Sequence, residues 1–123
     1  MSGIVYILVT IAVCAMSGAQ LLLKRGLLQV GQTPQSLSEI WPFFLKAYSN
    51  VYIIFAVVLT VVTALAWIVA VSKAQLSQVY PFMALSYILV ALFSYWFFKE
   101  DVTVLRWAGI LLICAGVILV ARS

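Results

Sequence analysis

Thr10, Ser17, Gln20 and Lys24 punctuate an apolar run that begins at Ile4. On a helix turning about 100° per residue they fall within an arc of about 80°, one polar stripe on an otherwise greasy cylinder. Two further stripes accompany it. Thr60, Thr63 and Trp67 share a helical face, and Tyr80, Tyr87 and Ser94 recur at seven-residue intervals with the small Ala84 and Ala91 beside them. Hydroxyls, an amide, phenols and an indole are groups that bind by hydrogen bonding, and lipid would penalise them if they faced it. The three faces are therefore expected to turn toward one another or toward a cavity. Lys24 and Arg25 add positive charge at one mouth, which suits an anionic guest. The competing reading of both is a pair of interfacial anchors that snorkel to the headgroups.

Covalent chemistry has no equipment here. The chain has no histidine, and no Walker, dinucleotide-binding, nucleophile-elbow or Cys-x-x-Cys pattern. Its two cysteines, Cys14 and Cys114, fall inside predicted spans and read as small apolar packing residues, with no disulfide or metal site. No enzyme activity, cofactor or metal is expected, and no nucleic-acid partner.

The elements that position the stripes follow from composition. Of 123 residues, 67% are hydrophobic and 8% charged, a balance expected of an integral membrane protein. A crossing needs about 20 apolar residues, and four runs supply it: 4–23, 51–71, 79–98 and 103–121. The fold class is thus all-α, a single four-helix transmembrane domain over 1–123. The first run lacks a basic leader and a clear cleavage site, so it is read as a retained span.

Between the first two spans, Leu37, Trp41, Phe44, Leu45 and Tyr48 recur at helical spacing, with Ser36, Glu39 and Lys46 off the stripe. A short amphipathic helix over about 36–48, lying on the membrane surface, is expected. Pro42 offers an alternative start for that helix, since inside it the ring deletes a backbone hydrogen bond.

Net charge is +4. Lys24, Arg25, Lys46, Lys99 and Arg106 are assigned to the connections after spans 1 and 3, against Lys73 and Arg122 on the other side. The positive-inside rule then places both termini outside; if Lys24 and Arg25 belong to a site instead, the count is three against two and either orientation stands open. Span 4 carries no polar stripe. Ala108 with Ala115 and Gly109 with Gly116 instead form a small-residue seam, open to two readings: packing within the monomer, or a dimer contact. Four short helices enclose little on their own, which favours the dimer.

These residues resemble a family. "GILLICAGVILV" from Gly109 to Val120, preceded by "YPFMALSYILVALFSYWFFKEDV" from Tyr80 to Val102, is similar to the last two helices of the small multidrug resistance family, within the wider drug/metabolite transporter (EamA-like) superfamily. The resemblance implies four-helix proteins working as antiparallel dimers, with helices 1 to 3 lining the path and helix 4 dimerising. Drug exporters of that family carry a glutamate in helix 1, about two turns before a lysine that Lys24 resembles. Here that position falls on Met16 or Ala15, and the acid is missing. Only Glu39, Glu100 and Asp101 are acidic.

Without a buried carboxylate the family's usual exchange of organic cations for protons has no carrier. A closer resemblance is to small subunits thought to flip aminoarabinose-phosphoundecaprenol, which share a pattern like Gln20 to Lys24, a pair like Tyr80-Pro81 and an acid like Glu100. It implies a flippase of a polyprenyl-phosphate-linked monosaccharide in the bacterial inner membrane. Substrate contacts are then expected at Ser17, Gln20, Lys24, Arg25, Thr63, Trp67, Tyr80, Tyr87, Ser94 and Glu100, and dimer contacts at Ala108, Gly109, Ala115 and Gly116. The partners would be that lipid, the surrounding membrane lipids, and a second copy or a four-helix paralogue. Two other readings stay open: an exporter of a small compound, and a non-transporting subunit that only completes a heterodimer.

Overall fold

The computed structural model describes residues 2–123. Its elements run α1 (Gly3–Val30), α2 (Leu37–Ala47), α3 (Val51–Lys73), α4 (Leu76–Val79), a 3₁₀ turn (Tyr80–Met83), α5 (Ala84–Phe97) and α6 (Val104–Arg122). All the regular structure among the described residues is helical. Four segments, Gly3–Val30, Val51–Lys73, Leu76–Phe97 and Val104–Arg122, are long and apolar enough to cross a membrane.

The first helix outruns its apolar stretch. At 1.5 Å per residue its 28 residues span about 42 Å against a hydrocarbon layer of about 30 Å. It stops at Gly31, where a φ of 78° suits a residue without Cβ and the N–H bonds the Leu27 carbonyl at 3.0 Å. Lys24 and Arg25 therefore sit within α1, not in the connection assigned to them from hydropathy. Hydropathy marks where lipid ends, whereas a capping residue marks where the helix ends.

α2 begins at Leu37 and carries Pro42 inside it, so the alternative start at Pro42 is not taken. Its start is fixed by local side-chain bonds. The Glu39 carboxylate accepts from the Gln35 N–H at 2.8 Å, and the Ser36 and Ser38 hydroxyls bond at 3.0 Å. Asn50 caps α3, its side-chain oxygen accepting from Tyr52 N–H at 2.9 Å. Thr103 caps α6 likewise, accepting from Arg106 N–H at 3.2 Å. At the end of α5, Lys99 takes a φ of 53°, a conformation better suited to glycine.

The third span is not one uniform helix. Pro81 has no N–H to give, and the segment from Tyr80 to Met83 tightens into 3₁₀ geometry before α5 resumes. A 3₁₀ turn advances about 120° per residue rather than 100°, so the face bearing Tyr80 is rotated away from that bearing Tyr87.

Packing centres on α1, which lies most extensively along α3 and then along α5, while α6 touches mainly α5. The α1–α3 contact is made of small groups: Ala12, Ala19 and Gly26 on one side, Ala56, Thr63, Ala66 and Ala70 on the other, all buried. In a membrane, where apolar burial between helices gains little, close approach of small residues is what holds helices together. Two cores flank it. Val5, Val9, Val13, Ala70 and Val79 pack with Trp67, Phe82 and Leu89 near the chain termini. Val30, Ala47 and Ile53 pack with Leu23, Leu27 and Phe43 at the other end, pinning α2 to α1 and α3.

Candidate functional site

The cationic end of α1 is built on a very close helix contact. A Cβ added to Gly26 would lie 2.5 Å from Ile53 Cγ1 and 2.9 Å from Asn50 Oδ1, so only glycine lets α3 begin there. That approach sets the register in which Asn50 donates to the Gln29 side chain at 3.0 Å and the Arg25 guanidinium lies 5.1 Å over the Tyr52 ring. Gln29, Asn50 and Tyr52 were not among the residues expected from sequence. Asn50 carried a readable signal, as an N-cap type directly before a long apolar run; its partner 21 residues away did not.

Because α1 continues to Val30, Lys24 and Arg25 leave it about 100° apart rather than side by side. Arg25 turns toward Tyr52. Lys24 lies about 40° and one turn from Gln20. Gln20 itself lines a cleft of about 300 Å³ between α1, α2 and α3, with Leu23, Leu27, Phe43, Phe44 and Val57 among its walls. Its amide nitrogen reaches only the Met16 sulfur, at 3.5 Å.

The rest of the α1 stripe does not share that cleft. Thr10 lines a different one, of about 400 Å³, with Tyr6, Phe82 and Leu89 between α1 and α5. Its hydroxyl donates to the Tyr6 carbonyl at 2.8 Å. Ser17 is buried with its hydroxyl on the Val13 carbonyl at 2.7 Å, and Thr63 is buried with its hydroxyl on the Leu59 carbonyl at 2.9 Å. Both act here as small interfacial groups whose polar atoms are satisfied within their own helix.

At the opposite end of the bundle, Trp67 and Tyr80 meet edge to face with centroids 5.9 Å apart, and Tyr6 meets Phe82 at 6.3 Å. Tyr87 lies on the outer surface, half exposed, and Ser94 is buried. The 3₁₀ turn shifts Tyr80 relative to the other two, whereas Tyr87 and Ser94 both lie in α5, about 20° apart on one face. Glu100 is exposed in the connection to α6, where Arg106 bonds the Asp101 carbonyl at 3.3 Å. Packing of the small-residue seam inside the monomer is also overturned: Ala108, Ala115 and Gly116 are exposed, and a Cβ on Gly109 or Gly116 would find no atom within 4 Å. The small-residue seam within the chain belongs to α1 and α3 instead.

Glu39 lies in α2, and Glu100 and Asp101 lie between α5 and α6, so no carboxylate side chain falls within the four spanning helices. The bundle therefore offers amide, hydroxyl and aromatic groups inside, cations toward both ends with Lys24 and Arg25 together on α1, and no acid to balance a cationic guest.

The family model that describes EamA-like transporters matches residues 1–122. The chain belongs to the EamA-like transporter family. The probable 4-amino-4-deoxy-L-arabinose-phosphoundecaprenol flippase subunit ArnF of Erwinia tasmaniensis is 36% identical over 115 residues, 89% of this chain and 87% of the relative. The probable ArnE subunit of the same kind of flippase in Hamiltonella defensa is 39% identical over 59 residues, 48% of this chain and 53% of the relative. That of Pseudomonas fluorescens is 26% identical over 112 residues, 87% of this chain and 98% of the relative. Several such relatives are thus matched over only about half their length. No solved structure matches the chain.

Proposed function

We propose that this EamA-like protein is one subunit of a flippase that moves a polyprenyl-phosphate-linked monosaccharide across the bacterial inner membrane. The observation that carries the reading is the charge inventory of the spanning helices: cations at one end of α1, hydrogen-bonding groups along the bundle, and every acid outside it. The names of its relatives agree, since each is called a subunit of a flippase for such a lipid. The long tail can stay in the bilayer while only sugar and phosphate pass between helices, so the path need not be wide.

A lone bundle of this kind shields a headgroup poorly, and α6 leaves Gly109 and Gly116 open on the outside. Pairing through that seam, with a second copy or a four-helix paralogue, would bring the polar groups of two chains together and spare the headgroup bare hydrocarbon. α2 lies on the membrane surface, its exposed Leu37, Trp41, Leu45 and Tyr48 facing lipid. Lys24 is the residue that meets the phosphate most directly, with Gln20 one turn below it.

Binding tests this first. Native mass spectrometry of the purified protein is expected to retain a polyprenyl-phosphate sugar in preference to the free sugar and to a quaternary ammonium. Preferential binding of the quaternary ammonium, with proton release, would favour an exporter instead.

A further inference from the structure

The proposed substrate has two parts, and the charge inventory speaks only to its head. Resting on that reading, we infer that the cleft between α1, α2 and α3 is the binding site for the first isoprene units of the polyprenyl chain. Its walls are apolar and branched or aromatic, with Leu27 on α1, Phe43 and Phe44 on α2 and Val57 on α3. They are held in place rather than adrift, because Ala47 and Ile53 are buried in the small core that joins the three helices. The aromatic wall is continuous: Phe43 and Phe44 lie 6.0 Å apart, and Phe44 and Tyr48 stack at 6.2 Å.

Polarity in this cleft sits at one edge. Thr60 has its hydroxyl committed to the Ala56 carbonyl at 2.8 Å, so it offers little to a guest. Gln20 has only the Met16 sulfur as a partner for its amide nitrogen. Lys24 stands one turn farther along the same side of α1, on the rim by helical position, while Arg25 is turned to Tyr52. No acid is among the residues lining the cleft. An apolar slot with an amide and then a cation at its edge fits an amphiphile whose hydrocarbon begins immediately beside a phosphate. A free sugar phosphate would leave the slot empty, and a quaternary ammonium would meet Lys24 as a like charge.

The α1–α5 cleft makes a useful contrast. It is as apolar, and neither cleft has a lysine or arginine among its lining residues; what sets the first apart is Lys24, one turn along α1 from the lining residue Gln20, with no cation so placed beside the second.

The test is photolabelling of the full chain in nanodiscs with a polyprenyl phosphate bearing a diazirine on the isoprene nearest the phosphate. Label is expected on peptides containing Leu27, Phe43 or Phe44, competed away by unlabelled polyprenyl phosphate but not by phosphatidate, which shares the phosphate and lacks the branched chain. Val57→Trp, which fills the cleft from an exposed position, is expected to lower labelling about tenfold, whereas Val57→Ala, which only widens it, retains the label. Equal competition by phosphatidate would overturn the inference in favour of an ordinary lipid site. So would label confined to Tyr6 and Phe82 peptides, or no label at all, whether or not the same preparation flips lipid. Specific label in the cleft without flipping would uphold the chain site and count against the transport reading alone.

Discussion

Gly26 is the most sensitive position at the cationic end of α1. Replacing it with alanine puts a methyl carbon 2.5 Å from Ile53 Cγ1, 2.9 Å from Asn50 Oδ1 and 3.1 Å from Ile53 Cδ1. Ile53 is 2% exposed and part of the core that fixes α2, so it has little room to yield. Overpacking of this kind costs about 1–3 kcal/mol, offset by about 1 kcal/mol of improved helix propensity. Parting the helices also strains the Asn50–Gln29 hydrogen bond and the Arg25–Tyr52 contact, worth about 0.5–1.5 and 0.5–1 kcal/mol. A net loss of about 1–3 kcal/mol is expected for Gly26→Ala. The control is Gly18→Ala, whose new methyl would meet only the tip of Leu59, at 3.3 Å, and which should be near neutral. Unfolding of the reconstituted protein by titration with a denaturing detergent gives both values. Gly26→Ala as stable as wild type, or less harmful than Gly18→Ala, would refute the close contact on which the cationic end is built. Pairing Gly26→Ala with Ile53→Ala should then be less damaging than the sum of the two, because the second change removes the clashing atoms.

Three other outcomes are expected. Lys24→Ala should weaken binding of a polyprenyl phosphate by about 1.5–3 kcal/mol in a lipid-binding titration, with Arg25→Ala weaker in effect because its guanidinium is engaged by Tyr52; equal binding by wild type and both variants would return the two cations to interfacial anchors. Gly109→Leu and Gly116→Leu should leave the monomer folded, since nothing lies within 4 Å of the added carbon, yet abolish pairing in a cross-linking assay, and dimers surviving both would remove the seam from the interface. C-terminal reporter fusions should place that end predominantly outside, following the five-to-two cation bias; a uniformly cytoplasmic signal would reverse the orientation, and a mixed signal would favour one chain inserting both ways.

The four crossings and the helix at Leu37 could be read from the sequence because each depends on local pattern, apolar length in one case and amphipathic spacing in the other. What could not be read depends on where helices meet. Arg25 and Tyr52, or Asn50 and Gln29, come together only after Gly26 has admitted α3, and nothing near either residue announces the partner. At Pro81 the backbone tightens, so a fixed 100° step misplaces Tyr80 relative to Tyr87 and Ser94, which keep their shared face within α5. In α1 the arc of polar residues was correctly placed on one helix, but neighbouring helices divide it: Thr10 goes to one cleft, Gln20 to another, and Ser17 is buried. The missing acid, by contrast, needed no structure. It is a statement about composition, and it carries most of the functional reading.

Transport itself is the most direct test. Proteoliposomes containing the protein, alone and together with a four-helix paralogue, would be loaded with a labelled short-chain polyprenyl-phosphate monosaccharide in both leaflets. The fraction of label accessible from outside would then be followed over time. Faster equilibration than in empty liposomes, by the chain alone or only with its partner, without proton uptake or release, is the expected result. Equilibration no faster than in empty liposomes under both conditions, together with proton-coupled uptake of an organic cation, would contradict the flippase reading.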